Sequence, residues 1–189
     1  MGYESLYAKD NVNYTRSWIA DNTPYMMFGV NAKYPVTDKL TVAGFIVNGY
    51  YHLSHPNDQP SYGGQWAYKA TPQLTLTQTV YGGPDQTNTA LQFWRFYANH
   101  IVEWKGENLT FAASYDIGTE NIADRPGNPR AFVMGGNVVA RWHVTGPWAL
   151  AKSALCVSTH VRAAAPMTRS RTSGRWLRVP LPSDWSGYI

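Results

Sequence analysis

Residues 62–83, YGGQWAYKATPQLTLTQTVYGG, constrain the fold more than any other stretch of the chain. Tyr62, Gly64, Trp66 and Tyr68 occupy alternate positions. Thr71-Pro72-Gln73 interrupts, and Leu74, Leu76 and Val80 then resume against Thr75, Thr77 and Thr79. A period of two is the period of a β-strand, whose successive side chains point to opposite faces. Two such strands around a short Pro-containing turn predict a hairpin with one apolar and one polar face. In a soluble sheet the apolar face meets a core; in a membrane barrel it meets lipid, and the polar face lines a lumen.

The same pattern recurs along the chain. Residues 26–34 set Phe28, Val30, Ala32 and Tyr34 against Gly29, Asn31 and Lys33. Residues 90–104 set Trp94, Phe96, Ala98, Val102 and Trp104 against Arg95, Asn99 and Glu103. Residues 109–118 set Leu109, Phe111, Ala113, Tyr115 and Ile117 against Thr110, Ala112, Ser114 and Asp116, and residues 131–144 set Phe132, Met134, Val138, Ala140 and Trp142 against Asn137 and Arg141. Residues 12–20 read as a first strand with poor alternation, 40–53 as a long mixed strand, and 148–151 as the start of another.

Connections alternate in length. Tight turns fall at 35–39, 71–73, 105–108 and 145–147, and longer polar loops at 54–61, 82–89 and 119–130. Short turns at one end and long loops at the other are the wiring of an up-and-down membrane barrel. The strands suffice in length, since a tilted strand needs about 9–11 residues to cross hydrocarbon. The expected fold class is therefore all-β, an antiparallel up-and-down transmembrane β-barrel, incomplete, with about nine strands present. No run of about 18 apolar residues predicts a membrane helix.

Aromatic residues are 14% of the chain, with 8 Trp and 13 Tyr. Tyr and Trp favour sites with one apolar and one wet side. Those near strand ends, Tyr34, Tyr62, Tyr68, Tyr81, Trp104, Trp142 and Trp148, are the expected aromatic girdle at the membrane interfaces. Lys33, Lys69, Arg95, Glu103, Asp116 and Arg141 fall on the more polar faces and are the expected pore-lining residues. Charge of mixed sign on a pore wall selects solutes by size and charge.

Other chemistry finds little footing. The single Cys156 excludes an internal disulfide framework. His52 and His55 form a His-x-x-His that reads as part of a solvated loop, and Ser114, Asp116 and His143 read as polar-face residues rather than a hydrolase set. Nucleophile-elbow and phosphate-loop motifs are missing. No catalytic residue, metal or cofactor is expected. Residues 1–151 carry 10 Lys+Arg and 11 Asp+Glu, whereas 152–189 carry 6 and 1. The basicity belongs to the tail, so the body predicts no nucleic-acid partner.

At this point several segments resemble the OmpL-like β-barrel porin family of Gram-negative outer membranes: NYTRSWIADNTPY (13–25), KYPVTDKLTVAGFIVNGYYHLSHPN (33–57), PSYGGQWAYKATPQLTLTQTVYGGPDQ (60–86), LQFWRFYANHIVEWKGENLTFAASYDIGTEN (91–121) and RAFVMGGNVVARWHVTGPWALA (130–151). The resemblance covers residues 11–151. It implies an outer-membrane porin passing small hydrophilic solutes by passive diffusion, with outer-membrane lipid and polar solutes as partners. Members are longer and carry a signal sequence, which Met1-Gly2-Tyr3-Glu4 does not resemble, so an internal fragment is expected. Two regions follow: residues 1–151 as a partial outer-membrane barrel, and 152–189 as a basic tail outside its pattern, frame-shifted or disordered. Oligomeric state stays open, a homo-oligomer included. The competing reading is a soluble carbohydrate-binding β-domain with exposed Trp and Tyr, which predicts aromatics clustered on one concave face.

Overall fold

The computed structural model describes residues 2–5, 7, 11, 17, 20, 23–24, 26–50, 52–54, 59–87, 91–121, 130–142, 154–159, 168–169 and 176–177. The strands are β1 (Gly29–Pro35), β2 (Leu40–Val47), β3 (Ser61–Lys69), β4 (Leu74–Pro84), β5 (Trp94–Lys105), β6 (Leu109–Asn121), β7 (Arg130–Trp142), β8 (Ala154–Thr159), β9 (Thr168–Arg169) and β10 (Trp176–Leu177). β1 to β8 form one sheet in sequence order, and β9 pairs with β10. Each neighbouring pair is antiparallel. The chain is thus an all-β, up-and-down antiparallel sheet of the barrel type, in which β1 and β8 are the edges among the described residues.

Local chemistry sets the hairpins. The Thr37 hydroxyl accepts the N–H of Lys39 at 3.2 Å and of Leu40 at 2.9 Å, and Thr71 does the same for Gln73 at 3.2 Å and Leu74 at 3.0 Å. A hydroxyl that takes over turn N–H groups supplies the acceptor that a tight reversal lacks. The third reversal closes with Gly106 N–H on the Leu109 carbonyl at 2.8 Å. These short connections, 36–39, 70–73 and 106–108, share one end of the sheet, and the longer ones, 48–60, 85–93 and 122–129, share the other.

The register carries a regular stagger. From the row Lys33–Ala43–Gln65–Thr79–Asn99–Asp116, the turns close two residues on at Pro35/Thr41, four on at Lys69/Thr75 and six on at Lys105/Thr110. One residue of stagger per strand, with a rise of about 3.4 Å against a spacing of about 4.8 Å, tilts the strands by about 35°. Membrane barrels tilt their strands by about 35–45°. β4 to β7 run 11, 12, 13 and 13 residues, long enough to cross hydrocarbon at that tilt.

The two faces are inverted relative to a soluble sheet. All the exposed large hydrophobics within β1–β7, from Val30 at 75% to Trp142 at 59%, lie on one face by register. The opposite face holds buried Ser61, Thr79, Asn99, Asp116, Glu120 and Asn137. Its apolar packing is a small group of Val47, Tyr50, Tyr81 and Tyr97, with Met27 and Phe45 against it. Water-soluble domains rarely expose so continuous an apolar surface.

Three expectations need correction. Strand 12–20 is not formed where it is described: Ser17 is outside any strand and Ala20 lies in a helical turn, while 12–16 and 18–19 lie outside the described residues. The strand expected over 40–53 stops at Val47: Asn48 still gives its N–H to the Phe28 carbonyl at 2.8 Å, and the chain then turns so that Tyr50 packs over the polar face. β6 runs to Asn121 and β7 starts at Arg130, so both ends of the loop expected over 119–130 belong to strands, and residues 122–129 lie outside the described residues. β8 pairs with β7, Val138 to Val157 and Ala140 to Leu155. The turn expected at 145–147 and the strand start at 148–151 lie outside the described residues.

Candidate functional site

The polar face is built from alternate residues of β2–β7, and pairing places them in rows. Gln65, Thr79, Asn99 and Asp116 make one row; Thr77, Ile101, Ser114 and Asn137 a second; Lys69, Thr75, Glu103 and Ala112 a third. Antiparallel partners lie about 4.5–5.5 Å apart, so the first row is a continuous polar strip, while Ile101 interrupts the second and Ala112 ends the third.

Asp116 is the centre of the first row. It accepts hydrogen bonds from the Thr23 hydroxyl at 2.6 Å, from the Tyr97 hydroxyl and from the Asn99 amide. With both hydroxyl protons given to Asp116, the Thr23 and Tyr97 oxygens stand 3.1 Å apart on the same carboxylate, and Gln65 Nε2 donates to Thr79 Oγ1 at 2.9 Å. A buried carboxylate needs such donors, because an unpaired one costs several kcal/mol (about 1–3 even for a neutral group).

Toward the long-loop end a second cluster forms around Arg95. Its Nη1 lies 2.5 Å from Asp85 Oδ2, its Nη2 lies 2.8 Å from Glu120 Oε2, and its Nε donates to the same Glu120 oxygen at 3.1 Å. The guanidinium carbon stands 4.8 Å over the Tyr50 ring. Tyr50 meets Tyr81 and Tyr97 edge-on, with centroids 5.3 and 5.4 Å apart. Asp85 draws the 48–52 segment inward: it accepts the Tyr50 N–H at 2.8 Å and lies 3.5 Å from His52 Nε2. Gly49 permits this approach, since a Cβ there would stand 2.6 Å from His52 Cδ2.

Described residues of the N-terminal stretch lie on the same face. Asn137 Nδ2 donates to Ser17 Oγ at 3.1 Å, and Tyr3 donates to Glu103 at 3.4 Å. Burial, reinforced by Glu103, pushes the Tyr3 phenol up to about 12. Glu103 also pairs with Lys105 at 2.9 Å.

The six charges expected from sequence, Lys33, Lys69, Arg95, Glu103, Asp116 and Arg141, share this face by register. Arg95 and Asp116 enter the two clusters. Lys69 and Glu103 share a row, with Thr75 between them. Lys33 stands on the exposed edge strand β1. Of the aromatic set, Tyr34, Tyr62, Tyr68, Trp104 and Trp142 are exposed on the apolar face. Tyr81 is not among them. Its phase in β4 puts it with Thr79 on the polar face, 3% exposed, donating to Ser61 Oγ at 2.8 Å. Trp148 lies outside the described residues. Asp85, Glu120 and Tyr50 join the clusters without a sequence signal that isolates them: Asp85 and Tyr50 lie in connections, where period two says nothing.

An apolar outer face, a polar inner one, a stagger of one residue per strand and alternating short and long connections together describe a porin-type sheet. No curated protein and no solved structure matches the chain. The family model described as "Putative beta-barrel porin-2, OmpL-like" matches residues 1–152. The chain therefore belongs to the OmpL-like family of β-barrel porins.

Proposed function

We propose that the polar face lines a water-filled path through a bacterial outer membrane, along which small hydrophilic solutes diffuse passively. One observation carries this reading: the exposed large hydrophobics of β1–β7 gather on one face while the opposite face buries hydrogen-bonded polar groups. The family match gives a porin-type role its general support. Lys33, Lys69, Arg95, Glu103 and Arg141 line the path with Ser17 and Tyr3, and Asp116, covered by Thr23, adds its charge from within the wall. They act through their field and through the space they leave, with no catalytic step and no cofactor. Lipid is the partner of the apolar face.

The test is reconstitution of the chain into phosphatidylethanolamine–phosphatidylglycerol vesicles, followed by swelling in sugars of increasing size. Swelling that falls with solute size and does not saturate is the expected result. A chain that stays soluble without detergent, inserts into no vesicle and binds sugar saturably would overturn the porin reading in favour of a carbohydrate-binding domain. That alternative requires open ring faces on the concave side, and Tyr50, Tyr81 and Tyr97 are buried there.

A further inference from the structure

The apolar face carries two polar side chains near its middle. Gln78 and His100 are register partners across β4 and β5, close to the centres of both strands. The outward pairs on either side are apolar, Val80–Ala98 and Leu76–Val102. Trp66 Nε1 donates to Gln78 Oε1 at 2.8 Å, and His100 stacks on Tyr115 with centroids 6.5 Å apart. Among the described residues, the Gln78 amide N–H groups and the His100 ring nitrogens have no hydrogen-bond partner.

Polar groups at mid-depth in lipid are costly, and they are retained where they face other protein. We propose that Gln78 and His100 form a lateral contact between two copies of this chain side by side in the membrane. The inference rests on the membrane placement of the apolar face proposed above. A second copy fits for geometric and chemical reasons. Copies inserted in the same sense are related by an axis along the membrane normal, which brings equal depths together in an isologous contact. Gln78 and His100 share one row and so lie at nearly one depth. Their chemistry is reciprocal: glutamine brings N–H donors and neutral imidazole brings an acceptor nitrogen. Gln78 of either copy then donates to His100 of the other. Ala98 beside them and Gly64, beyond Val80 in the same row, are small residues of the kind that let membrane segments approach closely.

The experiment uses the full chain in phosphatidylcholine vesicles. In a Cys156→Ser background, Gln78→Cys should give a disulfide-linked dimer under mild oxidation. Met134→Cys, on the same face but three strands further on, should give several-fold less; equal yields overturn the contact. Gln78→Leu with His100→Leu makes the face more apolar. It should weaken self-association, read by energy transfer on lipid dilution, by about ten-fold, the size expected for a few interhelical-type membrane hydrogen bonds. Unchanged association overturns the contact. Quenching of tryptophan by brominated lipid separates the two layers of inference. Quenching without a dimer removes the contact alone, whereas no quenching removes the membrane placement and the contact with it.

Discussion

Arg95 and Glu120 are register partners across β5 and β6, 2.8 Å apart at Nη2 and Oε2, and Asp85 holds the same guanidinium from its Nη1 side at 2.5 Å. The next pair along that ladder, Phe96 and Thr119, turns to the opposite face. One residue of phase therefore separates a compact ion cluster from the exposed apolar surface.

That cluster gives the first prediction. Arg95→Met leaves Asp85 and Glu120 buried with no countercharge, and should cost about 3–5 kcal/mol in urea unfolding from detergent micelles. Glu120→Gln keeps Asp85 on the guanidinium and should cost about 1–3 kcal/mol. Equal losses would mean that Asp85 does not share the load.

The two faces should respond oppositely to charge. Val80→Arg places a cation at the middle of the apolar face, with an expected cost of about 2–4 kcal/mol. Thr77→Lys adds a cation to the polar face and should stay within about 1 kcal/mol. Unfolding in the same micelles checks both, and similar costs would contradict the assignment of faces.

Glycine spacing gives the third. A Cβ on Gly63 would collide with the Phe45 ring and the Val80 carbonyl, whereas one on Gly44 meets nothing within 4 Å. Gly63→Ala should destabilise by about 1–3 kcal/mol, as overpacking does. Gly44→Ala should be neutral to slightly stabilising, because it restricts the unfolded chain. Thermal unfolding of the two variants measures the contrast.

Conduction gives the fourth. Glu103 stands on the polar face in one row with Lys69. Glu103→Lys reverses its sign and should move the reversal potential in a KCl gradient toward anion preference. The shift should be clear at about 0.1 M salt, where the screening length is about 10 Å, and shrink at about 1 M, where it is about 3 Å. A shift that is independent of salt would point to a changed pore shape instead of a changed field.

Much of this was legible in one dimension. Strict alternation in residues 62–80 and 109–118 settled strand identity, phase and which side chains share a face, because a strand's side-chain period is two whatever it packs against. The alternating turn and loop lengths settled the up-and-down order, because tight reversals join only adjacent antiparallel strands. The six charges followed the polar phase for the same reason.

What the chain did not disclose lies where period two ends. Tyr81 sits near a strand end like the girdle aromatics, yet its phase with Thr79 turns it to the polar face; what only the tertiary structure gave is that Tyr50 and Ser61 meet it there. Asp85 reaches Arg95 from a connection, and Tyr50 enters the same cluster because Asn48 and Gly49 leave β2. β8 joined the sheet across a change of composition, since a free edge is satisfied by backbone groups that every residue carries. Local alternation thus determined the strands and their faces. Register and the inward-turned connections, set by contacts between residues distant in sequence, decided which charges meet on the polar wall and which polar groups are brought side by side on the apolar one.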